Sequence, residues 1–256
     1  MKEEIKAKLR FLADKYEVAS FCNEDPSQFL RWYQPPRGSI ADIEISSFIA
    51  AMLSFGSRKQ FIPKIKQILE KSDNSSGSIT CWLKSKKYKV DFPTGTNKFY
   101  RFYSFDDMHS FFDELAEILK TNDSLGSFLY NKNKKSQNFD TNLSEIISSS
   151  FPKSSIVPKG HNSTNKRIHM FLRWMIRRNS PVDLGLWQWA SPEKLIIPLD
   201  VHVMQEAIKL GLLSENAKPS RKTAELLTAS LSEVFPGDPC RGDYALFGLG
   251  VDSEKQ

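Results

Sequence analysis

Apolar residues recur at helical spacing through most of this chain, and this periodicity limits its fold more than any other feature. After Asp42 the apolar residues Ile45, Phe48, Ile49 and Met52 follow one another at intervals of three and four. This spacing places them on one broad face of a helix. No segment alternates apolar and polar residues over the length of a strand. Helices joined by short polar loops therefore predict an all-α fold.

The same reasoning assigns the other elements. Helices are predicted at residues 3–20, 42–55, 58–71, 106–120, 125–130, 165–178, 200–210, 221–235 and 242–249. A serine-rich loop is predicted at 72–78, and a lysine- and asparagine-rich loop at 131–142, which we expect to be exposed and mobile. Residues 86–104 have no clean period, so no element is assigned to them.

The charge of the chain favours a polyanionic partner without proving one. The 256 residues are 40% hydrophobic, enough to bury a sizeable core, and carry a formal net charge of +6. The cations are concentrated at residues 152–182, which contain seven Lys or Arg and no Asp or Glu. A segment this one-sided is typical of a surface that faces phosphate, although many charged helix faces are only solvated.

Cysteine and histidine are sparse in this chain. The three cysteines, Cys22, Cys81 and Cys240, stand at wide and unrelated spacings, which argues against a disulfide framework or a cysteine-rich metal site. The four histidines share no metal-ligand spacing, so we expect no metal and no other cofactor. The first residues are charged and no run of eighteen apolar residues occurs. These features predict an unexported cytoplasmic protein that does not associate with membranes.

A polar loop with one glycine, residues 158–167, leads into the helix predicted at 165–178. It contains Lys159, Gly160, Lys166 and Arg167. A helix N-terminus presents free N–H groups and a partial positive charge, so such a loop suits one phosphate. The alternative is an ordinary capped helix with a solvated cationic face.

A second segment brings a carboxylate to the start of a helix. Residues 195–199 are almost entirely apolar and end at Asp200, which precedes the helix predicted at 200–210. An aspartate in this position is normally a structural N-cap. Here its apolar approach predicts a carboxylate that is held by backbone N–H groups, stays ionised and is poorly hydrated. These are the properties of a reactive carboxylate.

These residues resemble those of a known family, the helix-hairpin-helix DNA glycosylases related to endonuclease III. Residues 198–203, Pro-Leu-Asp-Val-His-Val, are similar to the Val-Asp-Thr-His motif of that family, with the aspartate at Asp200. Lys166 matches the lysine that opens a helix after the family's hairpin. Residues 45–55 and 244–250 resemble its first core helix and its closing helix. The resemblance covers most of the chain, and the aspartate motif is its most specific part.

The chain also departs from endonuclease III. The hairpin has Gly160 but no Gly-x-Gly turn, and residues 179–194 lengthen the segment between Lys166 and Asp200. That spacing is closer to the archaeal 8-oxoguanine glycosylases. No four-cysteine loop follows the last helix, which removes the iron-sulfur cofactor. The whole pattern most resembles a bacterial branch of the superfamily. The resemblance implies one two-lobed helical unit over residues 1–256, with a helix-hairpin-helix element and lobes at 45–165 and at 1–44 plus 166–256.

The resemblance implies excision of an oxidised purine, such as 8-oxoguanine, from duplex DNA that contains the damaged base, by a monomer. Lys166 would attack the sugar C1′ and form a Schiff base that permits strand cleavage, and Asp200 would stabilise the cationic sugar and help to remove the lysine proton. A lysine that only pairs with a phosphate is the alternative. The residues expected to bind DNA are Lys159, Gly160, Arg167, Arg58, Arg173 and Arg177.

Three aromatic residues are expected to stack on a flipped base, namely Trp187, Phe55 and Phe247. Each could equally be a core residue. Trp187 and Trp189 are two positions apart, so in a helix they would point to different faces, and we favour Trp187 for the pocket.

Two other classes of function remain open on the sequence. A lysine and an aspartate at two helix starts favour the enzyme, whereas the degenerate hairpin favours a non-catalytic nucleic-acid-binding protein that keeps the fold. A basic scaffold that binds no nucleic acid is the third possibility. The salt dependence of duplex binding separates the scaffold from the other two, because phosphate contacts weaken steeply with ionic strength.

Overall fold

A computed structural model of the chain describes residues 1–135 and 143–254. The described residues are mostly helical, which confirms the all-α prediction, and their only sheet is a small antiparallel hairpin. The α-helices are α1 (Glu3–Tyr16), α2 (Ile40–Leu53), α3 (Arg58–Ser76), α4 (Ile79–Lys84), α5 (Tyr88–Asp91), α6 (Phe105–Thr121), α7 (Leu125–Lys135), α8 (Leu143–Ser150), α9 (Lys166–Ile176), α10 (Val201–Lys209), α11 (Arg221–Ser232) and α12 (Gly242–Glu254). The strands are β1 (Lys98–Tyr100) and β2 (Tyr103–Ser104).

The helical periodicity located the longer helices to within a few residues, whereas the short helices α4, α5 and α8 were not predicted. Helix α3 continues through residues 72–76, which were predicted as loop. In this stretch the hydroxyl of Ser72 donates to the carbonyl of Leu69, so this polar side chain makes its hydrogen bond within the helix. Of the loop predicted at 131–142, residues 131–135 continue α7 and residues 136–142 lie outside the described residues.

The chain divides into two compact units. Residues 24–159 form the continuous unit, and residues 1–23 with 160–256 form the discontinuous unit. Residues 24–44 therefore group with the middle of the chain, whereas the lobes implied by the resemblance place them with its ends. In the described part of the chain, no helix is both long and apolar enough to cross a membrane.

The continuous unit is built around α2, which is buried on nearly all sides. Ile45, Phe48, Ile49 and Met52 on this helix are all fully buried. The helix begins with a capping box, in which Ser39 accepts a hydrogen bond from the backbone N–H of Asp42 while the Asp42 carboxylate accepts from Ser39. Ser46, Ser47, Ala50 and Ala51 are also buried in this helix, where their small side chains let neighbouring segments approach closely.

We expect removal of the Asp42 carboxylate to destabilise the protein. It accepts hydrogen bonds from the N–H and hydroxyl of Ser39, at 2.9 and 2.6 Å, and from those of Thr80, at 3.0 and 2.5 Å. Asp42→Ala leaves these part-buried donors without an acceptor, so the free energy of unfolding should fall by about 2–4 kcal/mol. Urea denaturation measures this loss. Asp106→Ala, which removes an exposed carboxylate from the first turn of α6, should cost less than about 1 kcal/mol.

The contribution of Asp42 to the free energy of unfolding should also depend on pH. Burial alone would raise the pKa of Asp42, but the hydrogen bonds from Ser39 and Thr80 outweigh burial and lower the pKa below its ordinary value of 3.8. The stabilisation is therefore present above pH 3.8 and is lost as the pH falls through the lowered pKa. A difference between wild type and Asp42→Ala that stays constant down to pH 2 would contradict this assignment.

The discontinuous unit is held together by one apolar core to which both ends of the chain contribute. Leu9 of α1, Leu227 of α11 and Leu246 of α12 are fully buried in this core. Helices α1 and α12 approach closely at Gly248, where a Cβ atom would lie 1.9 Å from the Tyr16 ring. Only a glycine allows this contact without movement of the tyrosine ring.

Candidate active site

Lys166 and Asp200 form an ion pair at the starts of two helices of the discontinuous unit. Lys166 is the first residue of α9, and Asp200 is the N-cap of α10. The Nζ atom of Lys166 lies 2.7 Å from Oδ2 of Asp200, while Oδ1 accepts the backbone N–H of Val203 at 2.8 Å. The two side chains are 38% and 26% exposed, so a molecule arriving from solvent could reach both.

Asp200 is held in its ionised form. Burial alone would raise its pKa, but the Lys166 ammonium and the N–H of Val203 outweigh burial and lower the pKa below the ordinary value of 3.8. The carboxylate is thus poorly hydrated and charged at neutral pH, as its apolar approach predicts. It can accept a proton or stabilise a positive charge next to it.

The apolar residues just before Asp200 hold its backbone in a fixed position. Ile197 and Leu199 are at most 1% exposed and belong to the core of the discontinuous unit. The N–H of Ile197 donates to the hydroxyl of Thr228 at 3.1 Å, and the N–H of Leu199 donates to the carbonyl of Ile197 at 2.8 Å. The backbone just before Asp200 is therefore fixed by burial and by hydrogen bonds.

The loop before Lys166 differs from the short hairpin that the resemblance implies. Helix α8 ends at Ser150, and no helix forms between it and α9. Gly160 has a φ of +105°, and its carbonyl accepts the side-chain amide of Asn165 at 3.0 Å. Asn165 has a left-handed backbone and precedes Lys166 directly. The loop thus sets the start of α9 through Asn165, without a compact turn between two helices.

The residues predicted to bind DNA have different surroundings. Lys159 is exposed and donates to the carbonyls of Phe151 and Pro152, at 2.6 and 3.0 Å. Gly160 is exposed and Arg167 is half-buried at the start of α9. Arg58 begins α3 in the continuous unit, where its 44% exposed side chain lies 3.5 Å from Asp25.

The prediction that Arg173 and Arg177 bind phosphate is wrong. They are 4% and 1% exposed, and both are paired with carboxylates inside the discontinuous unit. They lie seven and eleven residues after Lys166, a spacing that returns to the same side of a helix. That side of α9 faces the interior of the unit after its first turn.

The two arginines share a buried network of carboxylates. Arg177 binds Asp183 at 2.5 Å, Glu17 at 2.8 Å and Asp238 at 2.7 Å. Arg173 binds Asp183 at 3.3 Å and also pairs with a further carboxylate, Asp243. The Tyr244 hydroxyl donates to Asp183 at 3.0 Å, and both guanidinium groups lie over the Tyr244 ring. The network holds segments from both ends of the chain against α9.

The charge of Asp243 interacts with this network and also with the candidate pair. Burial raises the pKa of Asp243 to about 6 although Arg173 lowers it, and the negative charge of Asp200 adds to the increase. The positive charge of Lys166 opposes that increase. Asp243 could not be chosen from the sequence, because its partners lie far away in the chain.

The predicted base-stacking residues are divided between the two units. Trp187 is only 2% exposed, between Phe171 and a stacked Trp189 whose ring centre is 5.6 Å away, so the prediction that Trp187 stacks on a base is wrong. No helix forms at residues 177–191, and the argument from helical faces therefore does not apply. Phe247 is half-buried next to Phe21 in the discontinuous unit, whereas Phe55 belongs to the continuous unit.

Among the described residues, no group of three or more His, Cys, Asp or Glu side chains could hold a metal ion. The functional groups that the candidate pair itself offers are the amine of Lys166 and the carboxylate of Asp200.

A match to one known family covers nearly the whole chain. Residues 25–252 match the sequence model of a family described as "Protein of unknown function (DUF2400)". The chain belongs to the DUF2400 family. No curated protein matches it, and no solved structure matches it. The DUF2400 match includes Lys166, Asp200 and both buried arginines, and it starts after α1 and Glu17.

Proposed function

We propose that this DUF2400 protein is a DNA glycosylase that removes an oxidised purine of the 8-oxoguanine kind and cuts the strand through a lysine Schiff base. The observation that carries the proposal is the accessible contact of 2.7 Å between the Lys166 amine and the Asp200 carboxylate. A nucleophile beside a group that can take its proton is the arrangement that covalent catalysis requires. The resemblance of residues 198–203 to the glycosylase motif supports the same assignment.

In the proposed reaction one proton passes through Asp200. Asp200 accepts the ammonium proton of Lys166 along their hydrogen bond, and the neutral amine attacks the sugar C1′. The bond from C1′ to the base breaks, and the base leaves with the electron pair and takes the proton that Asp200 received. After the attached nitrogen loses a proton to water, the bond from C1′ to O4′ breaks with that nitrogen supplying the electron pair, O4′ takes a proton from water, and a Schiff base remains at C1′. Loss of a proton from C2′ to water expels the 3′ phosphate and cuts the strand. The damaged nucleotide must first be flipped out of the duplex, which costs a few kcal/mol.

The exposed cations of residues 152–182 support DNA as the partner. Arg173 and Arg177 are buried. The other cations of residues 152–182 are exposed or half-buried, namely Lys153, Lys159, Lys166, Arg167 and Arg178. We propose that several of these groups contact phosphates and that the protein acts as a cytoplasmic monomer. Three free cysteines, with Cys22 and Cys240 buried, suit a reducing compartment.

Excision assays test the proposal. Purified protein is incubated with duplexes that each carry one oxidised purine, one oxidised pyrimidine or no lesion, and released base and cut strand are measured separately. We expect release and cutting on an oxidised purine and neither on the undamaged duplex. Binding without release of any base would favour the second candidate, a non-catalytic DNA-binding protein, which the absence of a short hairpin before Lys166 also favours.

Duplex binding should weaken steeply with salt. Each phosphate contact contributes about −0.9 to the slope of log affinity against log salt concentration, so several exposed cations predict a slope steeper than about −2. Fluorescence anisotropy at a series of salt concentrations measures it. Arg178→Gln should make the slope less steep by about 1 if Arg178 contacts a phosphate. A flat response would indicate a scaffold that does not bind nucleic acid.

A further inference from the structure

The hairpin of the continuous unit presents an aromatic ring and an arginine at its tip. Strands β1 and β2 pair Tyr100 with Tyr103, so Arg101 and Phe102 form a two-residue turn. Phe102 is 61% exposed, and Arg101 is also exposed. The outer face of this large aromatic ring is therefore open to a binding partner.

The backbone adopts an unfavourable conformation to place Arg101. Its φ is +50°, in the left-handed region that glycine and asparagine normally occupy in such turns. A cost of this kind is tolerated where the surroundings fix the residue. The turn therefore exposes an arginine where a glycine would be easier to accommodate.

Gly56 makes room for this arginine. Gly56 has a φ of +81°, and a Cβ atom there would lie 2.4 Å from Nη1 of Arg101. The guanidinium lies 5.7 Å from the centre of the Phe55 ring, within reach of a cation–π contact. The hydroxyl of Tyr100 donates to the carbonyl of Phe55 and fixes the hairpin to this segment. The arginine is thus positioned by two separate features of the fold.

Other rings support Phe102 from beneath. Its ring centre is 4.6 Å from that of Tyr103, which is 2% exposed, and 5.2 Å from that of Phe55. Phe102 is therefore fixed on its inner side and open to solvent on the other. An exposed ring held in this way can accept a flat partner with little further loss of conformational freedom.

Lys98 contacts the tip of the hairpin, and two further cations follow Phe55 in the chain. Arg58 and Lys59 follow Phe55 closely and form the start of α3, a first turn that contains no acidic residue. The helix dipole disfavours cations in this position, and Arg58 pairs with Asp25. Lys98 is exposed on β1, and its Nζ donates to the carbonyl of Phe102 at 3.0 Å.

We propose that Arg101 and Phe102, with Phe55, Lys59 and Lys98, form a site for an unpaired DNA base and its flanking phosphates. We call these five residues the hairpin platform. The base stacks on Phe102, and the cations bind the phosphates on either side. A protein partner would need a contiguous apolar area, whereas Phe102 is a single exposed ring among cations. The proposal rests on the proposed function only in taking DNA as the partner, and it does not need the chemistry of Lys166.

A fluorescent base tests the hairpin platform. The full-length protein is titrated into a single-stranded oligonucleotide that contains 2-aminopurine, whose emission falls when it stacks on an aromatic ring, and into the same sequence as a duplex. We expect quenching with the single strand. Phe102→Ala should abolish the quenching and weaken single-strand binding about 5- to 150-fold, the loss expected for one stacked base.

Two further variants control the experiment. Phe11→Ala removes a phenylalanine from α1 that is 66% exposed, and it should leave binding unchanged. Phe102→Leu keeps an exposed apolar side chain without an aromatic ring, and it should behave like Phe102→Ala, whereas Phe102→Trp should restore quenching. Thermal melting shows whether each variant is folded.

The outcomes for the hairpin platform and for the proposed glycosylase are distinguishable. Wild-type quenching that survives in Phe102→Ala, or no single-strand binding by a protein that still excises a base from duplex DNA, would overturn the hairpin platform and leave the glycosylase intact. Loss of binding in Phe102→Ala, with no base released from any lesion duplex, would support the platform and reject the glycosylase.

Discussion

Replacement of Asp200 by asparagine should slow base release by about 10²- to 10⁴-fold under single-turnover conditions, the range expected for loss of one acid–base or electrostatic group. Asparagine is as good an N-cap as aspartate, so its side-chain oxygen can still accept the N–H of Val203 and α10 should form normally. What is lost is the negative charge 2.7 Å from the Lys166 ammonium. The variant therefore separates the chemical role of Asp200 from its structural role.

A matched substitution controls for loss of a carboxylate charge. Asp91 lies in the continuous unit, where it accepts a hydrogen bond from the Trp82 indole at 2.9 Å. Asp91→Asn should release base at the wild-type rate. If Asp200→Asn also releases base at the wild-type rate while melting at the wild-type temperature, Asp200 is only a helix cap and the proposed chemistry is incorrect.

Replacement of Arg177 by methionine should lower the free energy of unfolding by about 3–5 kcal/mol. Methionine fills a similar length but leaves Glu17, Asp183 and Asp238 without the cation that they share. Glu17 and Asp183 are at most 5% exposed, so water cannot replace the arginine. Urea denaturation followed by circular dichroism measures the loss.

The neighbouring arginine provides the control for this experiment. Arg178 is exposed and donates to the carbonyls of Gln188 and Ala190, at 2.6 and 3.1 Å. Arg178→Met should cost no more than about 1 kcal/mol. Equal losses for the two substitutions would show that the buried network contributes no more to stability than surface contacts do.

The loss in free energy of unfolding caused by Arg177→Met should be smaller in acid. Burial alone would raise the pKa of Glu17, but Arg177 is the main group that lowers it below its ordinary value of 4.5. In wild type this stabilisation is present above pH 4.5 and is lost as the pH falls through the lowered pKa. Without the arginine, Glu17 takes up its proton at a higher pH, so the difference between variant and wild type should be largest near pH 7 and smaller near pH 4.

Much of the fold could be predicted because the signal is local. The periodic apolar residues of α2, α6 and α9 and the N-cap position of Asp200 can be recognised from a few neighbouring residues. The hairpin at 98–104 could not be recognised, because strands of three and two residues are too short to show alternation. Its tip, Phe102, was missed for the same reason.

The candidate site was predictable only in part. The contact between Lys166 and Asp200 was expected from a resemblance, since nothing in a separation of 34 residues brings two side chains together. Arg173 and Arg177 were placed on the surface because residues 152–182 contain no Asp or Glu. Their partners come from residues 17, 183, 238 and 243, and only the tertiary structure brings these carboxylates to α9.

Borohydride trapping tests the central claim most directly. Wild type and Lys166→Gln are incubated with an oxidised-purine duplex and with a duplex that carries an abasic site, in the presence of borohydride, which reduces a Schiff base to a stable bond. We expect a covalent adduct with wild type, mapped by peptide mass spectrometry to Lys166, and no adduct with Lys166→Gln. An adduct at another residue, or base release by wild type with no adduct on either duplex, would contradict the assignment of Lys166 as the nucleophile.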